Sequence, residues 1–165
     1  MKSIVLCALL AAAAAGDSTG TLYTFRGIPW GASVREVENT AAEKGFSLRD
    51  RVMEPAEKFL EYRIVSMGRE CSAEFRFSPS GGKLFAVVLT WDEEGFGRTV
   101  LENLNRDLGA PRQVVPGLEV YVWDREDSEV ELRIWDEETI LIFGKMTLWK
   151  QAREERRKAE KAAED

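Results

Sequence analysis

The sequence predicts an α+β protein made of two tandem units, each a helix followed by three antiparallel strands. Three observations carry this reading. Ser33-Val34-Arg35-Glu36 has the spacing of a capping box and opens a stripe of helical period. Cys71 to Phe77 and Ser128 to Trp135 alternate apolar and polar residues with period two, as half-buried strands do. The order helix, strand, strand, strand then occurs twice, over residues 22–92 and 93–145. Successive antiparallel strands need only short turns, and each helix can cover a sheet face. The pattern leaves open whether the six strands form one sheet or two.

The elements follow in chain order. Leu22, Tyr23 and Phe25 suggest a short strand or docked segment, and Arg26 to Gly31 a turn in which Trp30 packs on the first helix. In that helix Ser33 is the N-cap, Val34, Val37 and Ala41 share one face, and Gly45 ends it. Phe59 to Ser66 alternates apolar residues with charge. In the next strand Cys71, Ala73, Phe75 and Phe77 point one way, and Ser72, Glu74 and Arg76 the other. Ser78 to Gly82 is a turn, and Leu84 to Trp91 returns.

The second unit begins with a helix over Phe96 to Leu108, whose face is Val100, Leu101, Leu104 and Leu108. Gly109 and Pro111 stop it. Strands follow over Leu118 to Asp124, Ser128 to Trp135 and Thr139 to Phe143. Met146, Leu148 and Trp149 dock a final helix, residues 146–165. From Lys150 onward its only apolar residues are alanines and its charges alternate. The spacings allow i,i+3 and i,i+4 pairs, and no a/d seam exists for a coiled coil.

Residues 1–15 read as an export signal. Lys2 gives the positive start, Ile4 to Leu10 the apolar stretch, and Ala13-x-Ala15 a small-residue cleavage site. The alternative is an uncleaved N-terminal anchor. Residues 16–21 form a small, polar lead-in to a domain over 22–145. Roughly 150 residues follow the signal, enough for one domain or two very small ones. The expected location is periplasmic or secreted, with no transmembrane segment once the signal is removed.

Composition bounds the chemistry. The formal charge is −6, and loss of Lys2 makes it one unit more negative. An acidic domain is a poor binder of nucleic acid or of an anionic membrane. Histidine is absent, which excludes Ser-His-Asp, Cys-His and histidine zinc sites. Cys7 lies in the signal, so Cys71 has no internal disulfide partner. It sits on the apolar side of its strand, where a thiol acts as a small hydrophobe.

Trp-Asp-Glu-Glu occurs at 91–94 and at 135–138. Neither copy has calcium-loop spacing, and both read as acidic turns. Glu61, Glu74, Glu129 and Glu131 read as a solvated sheet face. No cofactor, metal or catalytic site is expected. Trp135 shares the parity of Glu129, Glu131 and Arg133, so it falls on the polar face. An aromatic beside charges suits a protein-binding hot spot, unless the Trp149 helix covers that face. The candidate protein-binding residues are therefore Trp135, Arg133 and Glu131, with Arg153, Arg156 and Arg157 of the final helix second.

Phe25-Arg26-Gly27-Ile28-Pro29-Trp30-Gly31-Ala32-Ser33, running into a helix, resembles the opening of many small exported bacterial proteins with a Gly-x-Pro-Trp-Gly turn. Leu108-Gly109-Ala110-Pro111, the strand with Trp123 and the two strands after it resemble their helix-then-meander units. The named groups most similar in this respect are the β-lactamase-inhibitor-protein-like folds and the SmpA/OmlA outer-membrane assembly lipoproteins. The chain departs from both, having neither a lipobox nor internal disulfides, and no functional residue is carried over. The expected function is a non-enzymatic binding protein of the cell envelope with a protein partner. An inhibitor of a secreted enzyme and a carboxylate-based hydrolase are the alternatives.

Overall fold

The computed structural model describes residues 24–164 apart from Pro116 and Glu126. The export signal, the lead-in and the Leu22 and Tyr23 positions lie outside the described residues. The fold is α+β, and the described residues form a two-stranded sheet, an eight-stranded sheet and three helices.

The chain runs β1 (Thr24–Phe25), β2 (Ile28–Pro29), α1 (Val34–Glu43), β3 (Ser47–Met53), β4 (Lys58–Ser66), β5 (Arg69–Phe77) and β6 (Leu84–Trp91). It continues through α2 (Phe96–Leu108), β7 (Gln113–Val115), β8 (Val120–Arg125), β9 (Ser128–Ile134), β10 (Thr139–Lys145) and α3 (Met146–Glu164). Strands β3 to β6 form one meander and β7 to β10 another. They join where β6 pairs with β10, giving the antiparallel order β3-β4-β5-β6-β10-β9-β8-β7. One continuous sheet thus resolves the question left open by the pattern.

Each meander has one strand more than the alternation predicts. β3 is an edge strand, Ser-Leu-Arg-Asp-Arg-Val-Met, in which Val52 alone escapes full exposure. With neither face buried, no period of two is imposed on it. β7 has only three residues, too few for a periodic signal.

Local chemistry sets the helix ends. Ser33 Oγ accepts from the Glu36 amide at 3.3 Å, and the Ser33 amide donates to Glu36 Oε2 at 2.7 Å, the reciprocal capping box. Gly45, at φ +70°, closes α1 with Phe46 N–H bonded to Ala41 O at 2.9 Å and Gly45 N–H to Ala42 O at 3.1 Å. That pair of bonds is a Schellman motif, and glycine adopts its left-handed turn without strain.

Both α1 and α2 lie on one face of the sheet. Val37 and Ala41 of α1, and Val100, Leu104 and Leu108 of α2, belong to the same buried cluster as Leu60, Phe75, Leu89, Leu132 and Leu141. Phe25 of the small β1–β2 hairpin meets Phe75 edge-on at 5.6 Å. Trp30 packs against this core, and Trp123 Nε1 donates to Gly109 O at 2.8 Å, tying β8 to the end of α2. Among the described residues, no helix is long and apolar enough to cross a membrane.

Candidate binding surface

The other face of the sheet carries the outward-pointing residues of the strands. Residues directly opposite in an antiparallel ladder project to the same side. The register therefore lays three rows across this face. One row runs Phe59, Arg76, Ala86, Gly144, Glu129, Asp124. A second runs Asp50, Glu61, Glu74, Val88, Ile142, Glu131, Val122. A third runs Arg63, Ser72, Thr90, Ile140, Arg133, Val120.

α3 covers the first row only at its centre. Trp149 sits on Gly144, where an added Cβ would stand 2.4 Å from Cε3, and its ring centroid is 6.0 Å from that of Phe85. Ala152 is buried, and Glu155 Oε2 accepts from the Ser80 amide at 3.0 Å. At the start of α3, Asp127 takes the N-cap role from the β8–β9 turn. Its carboxylate accepts from the Thr147 hydroxyl at 2.7 Å and amide at 3.2 Å. The first half of α3 is thus docked. Beyond it, Arg156 pairs with Glu160 at 2.8 Å, one of the i,i+4 pairs the sequence allows.

Among the described residues, no helix lies over the second and third rows. Their centre is aliphatic (Val88, Ile142 and Ile140), flanked by Glu74 and Glu131, and Val88 and Ile142 are buried there. The border is charged. Asp50, Glu61 and Glu74 stand side by side across three strands, an arrangement of like charges that destabilises a sheet. Ser72 Oγ donates to Glu61 at 2.7 Å, and Arg76 pairs with Glu74. At the opposite border Glu129 faces Asp124, with Arg112 bridging them at 3.7 and 2.7 Å. Burial, then the neighbouring Asp124 and Glu131 charges, raise the Glu129 carboxyl above its ordinary range, against the pull of Arg112.

The candidate residues fall in two places. Glu131 and Arg133 lie on this face and pair with each other, Nε to Oε1 at 2.5 Å. Trp135 follows them in sequence, but β9 ends at Ile134, so Trp135 stands in the β9–β10 loop rather than on a strand. It is 49% exposed, and its amide donates to Glu138 O at 2.8 Å to close the loop. α3 does not cover it. Ile134 and Thr139 mark one end of the β9–β10 ladder and Gly144 lies near the other, about 17 Å away at strand rise. Arg153 and Arg156 border a groove of about 150 Å³ between α3 and β4–β5, while Arg157 is exposed outside that lining.

Other singled-out residues resolve by burial. The two Trp-Asp-Glu-Glu copies differ: Trp91 ends β6 inside the core at 1% exposure, and Trp135 is half-exposed. Cys71 is buried on the helix-covered face, and burial pushes its thiol up to about 12 despite nearby Arg26. Among the described residues, no three Cys, Asp or Glu side chains are grouped to hold a metal ion. Sequence reading missed Asp50 and Arg112, because each reaches this face from an element it did not anticipate or from a loop.

No protein-family model, no curated protein and no solved structure matches the chain.

Proposed function

We propose that the chain is an exported, non-enzymatic binding protein of the bacterial cell envelope. It engages a protein partner at the β9 end of the sheet face opposite α1 and α2, around Trp135, Arg133 and Glu131. The observation that supports this most is the build of that face. Glu131 and Arg133 pair on the outward side of β9, and Trp135 follows them just past the strand end, 49% exposed. An exposed aromatic beside an arginine and a carboxylate is the kind of cluster that anchors a protein interface. In the row of Asp50, Glu61 and Glu74, Glu74 is paired with Arg76 and Glu61 accepts from Ser72. That leaves Asp50 without an ion pair among the described residues and able to meet a cation of a partner.

The test is affinity capture with crosslinking from the native envelope fraction, using residues 16–165 as bait. Wild type would be run beside a variant carrying Arg133→Glu and Trp135→Ala. The reading expects one stoichiometric partner, lost from the variant while its melting temperature is retained. Equal capture by both baits would remove the face from the binding site.

A further inference from the structure

At the α3 end of the same sheet face lies a second site of different chemistry. The groove of about 150 Å³ between α3 and the β4–β5 strands has an aromatic floor formed by Phe59, Phe85 and Trp149. A cavity of about that size accommodates a single benzene ring. Its rim is cationic, in a protein whose formal charge is −6. Lys58, Arg76, Arg153 and Arg156 all border it, against one carboxylate, Glu57. Three of these cations already have partners: Lys58 donates to Pro79 O, Arg76 pairs with Glu74, and Arg156 with Glu160. The Arg153 side chain makes no ion pair or hydrogen bond among the described residues. It stands one helical turn from Trp149, so its guanidinium and the indole share a face.

We propose that this groove binds a small amphipathic acid, one aromatic ring or short alkyl chain bearing a carboxylate. The apolar body lies on the Phe59, Phe85 and Trp149 floor, and the carboxylate meets Arg153 with Arg156 beside it. A guanidinium matches a carboxylate in a two-point hydrogen-bonded fork, which makes the recognition selective for the anion. Occupancy would brace α3 against the sheet, because both walls then contact one ligand. This site is separate from Trp135 and Arg133, so its failure and the failure of the protein-binding reading are distinguishable.

The test uses 4-phenylbutyrate as probe, with 4-phenylbutylamine and 4-phenylbutan-1-ol as controls of the same apolar body. Binding is read from the amide and indole NMR signals of residues 149–156. The expected result is saturable binding of the acid with a Kd of about 1 mM or tighter. The amine should not bind, and the alcohol should bind at least several-fold more weakly. Arg153→Glu with Arg156→Glu should weaken the acid about tenfold or more, with the melting temperature retained, whereas Trp135→Ala should change nothing. No saturation by about 10 mM would overturn the proposal. So would equal binding of the amine, or an unchanged affinity in the double charge reversal. Tighter binding of a peptide ending in Phe-Glu than of the free acid would overturn the small-molecule assignment in favour of a protein ligand.

Discussion

Trp149 occupies the space that a side chain at residue 144 would need: a Cβ on Gly144 would stand 2.4 Å from its Cε3. This contact seats α3 on β10, together with the Asp127 cap and the Glu155 to Ser80 bond. A glycine inside a strand marks close approach of another group, and here that group is the indole.

Gly144→Val should displace Trp149 and loosen α3. Overpacking of this kind costs about 1–3 kcal/mol. Hydrogen exchange should quicken over residues 146–155 while β4 and β5 keep their protection. Unchanged exchange in α3 would show that the helix is held by its Asp127 cap and the Glu155 to Ser80 bond instead.

The two Trp-Asp-Glu-Glu tryptophans should respond oppositely to truncation. Trp91→Ala empties a core site and should cost about 3–5 kcal/mol. Trp135→Ala removes a half-exposed loop residue and should stay within about 0.5 kcal/mol. Denaturant melts of the two variants give the comparison, and a large loss with Trp135→Ala would make it a packing residue.

Glu129 gives a pH signature. Its carboxyl titrates higher in the folded protein than in the unfolded chain, chiefly through burial and then through Asp124 and Glu131. The unfolded state therefore holds fewer protons between the two pKa values, and stability falls as pH rises through that window. Glu129→Gln should stabilise the protein above the folded pKa, by a few tenths of a kcal/mol up to about 1. The gain should vanish as pH falls below the unfolded pKa. A variant less stable than wild type at neutral pH would mean that the Arg112 bridge outweighs the repulsion.

Cys71 should be inert while the protein is folded. Its thiol is buried and pushed up to about 12, so almost no thiolate exists near neutral pH. Labelling by a thiol-exchange reagent should follow the rate of unfolding, with the modified peptide located by mass. Fast stoichiometric labelling of the native protein would contradict the burial.

Much of this fold was legible because one face of most strands is buried. Burial imposes the alternation seen at Cys71 to Phe77 and Ser128 to Ile134, and local hydrogen bonds impose the Ser33 and Glu36 pair. β3 was not legible, since an exposed edge strand needs no pattern. Trp135 marks where parity runs out: it keeps the spacing of Glu131 and Arg133, but the ladder ends one residue earlier. The outward glutamates were readable as a sheet face, whereas their alignment with Asp50 depends on register between strands. The groove joins β4, β5 and α3, whose proximity no local pattern encodes, although Trp149 of its lining was readable as a docking residue.

Site-specific photo-crosslinking in the native envelope tests the central claim most directly. A photoreactive residue would be placed in turn at Arg133, at Trp135 and at Thr99, an exposed position on α2. The open-face account predicts one common adduct from Arg133 and Trp135 and none from Thr99. An adduct from Thr99 alone would put the partner on the helix-covered side and contradict it.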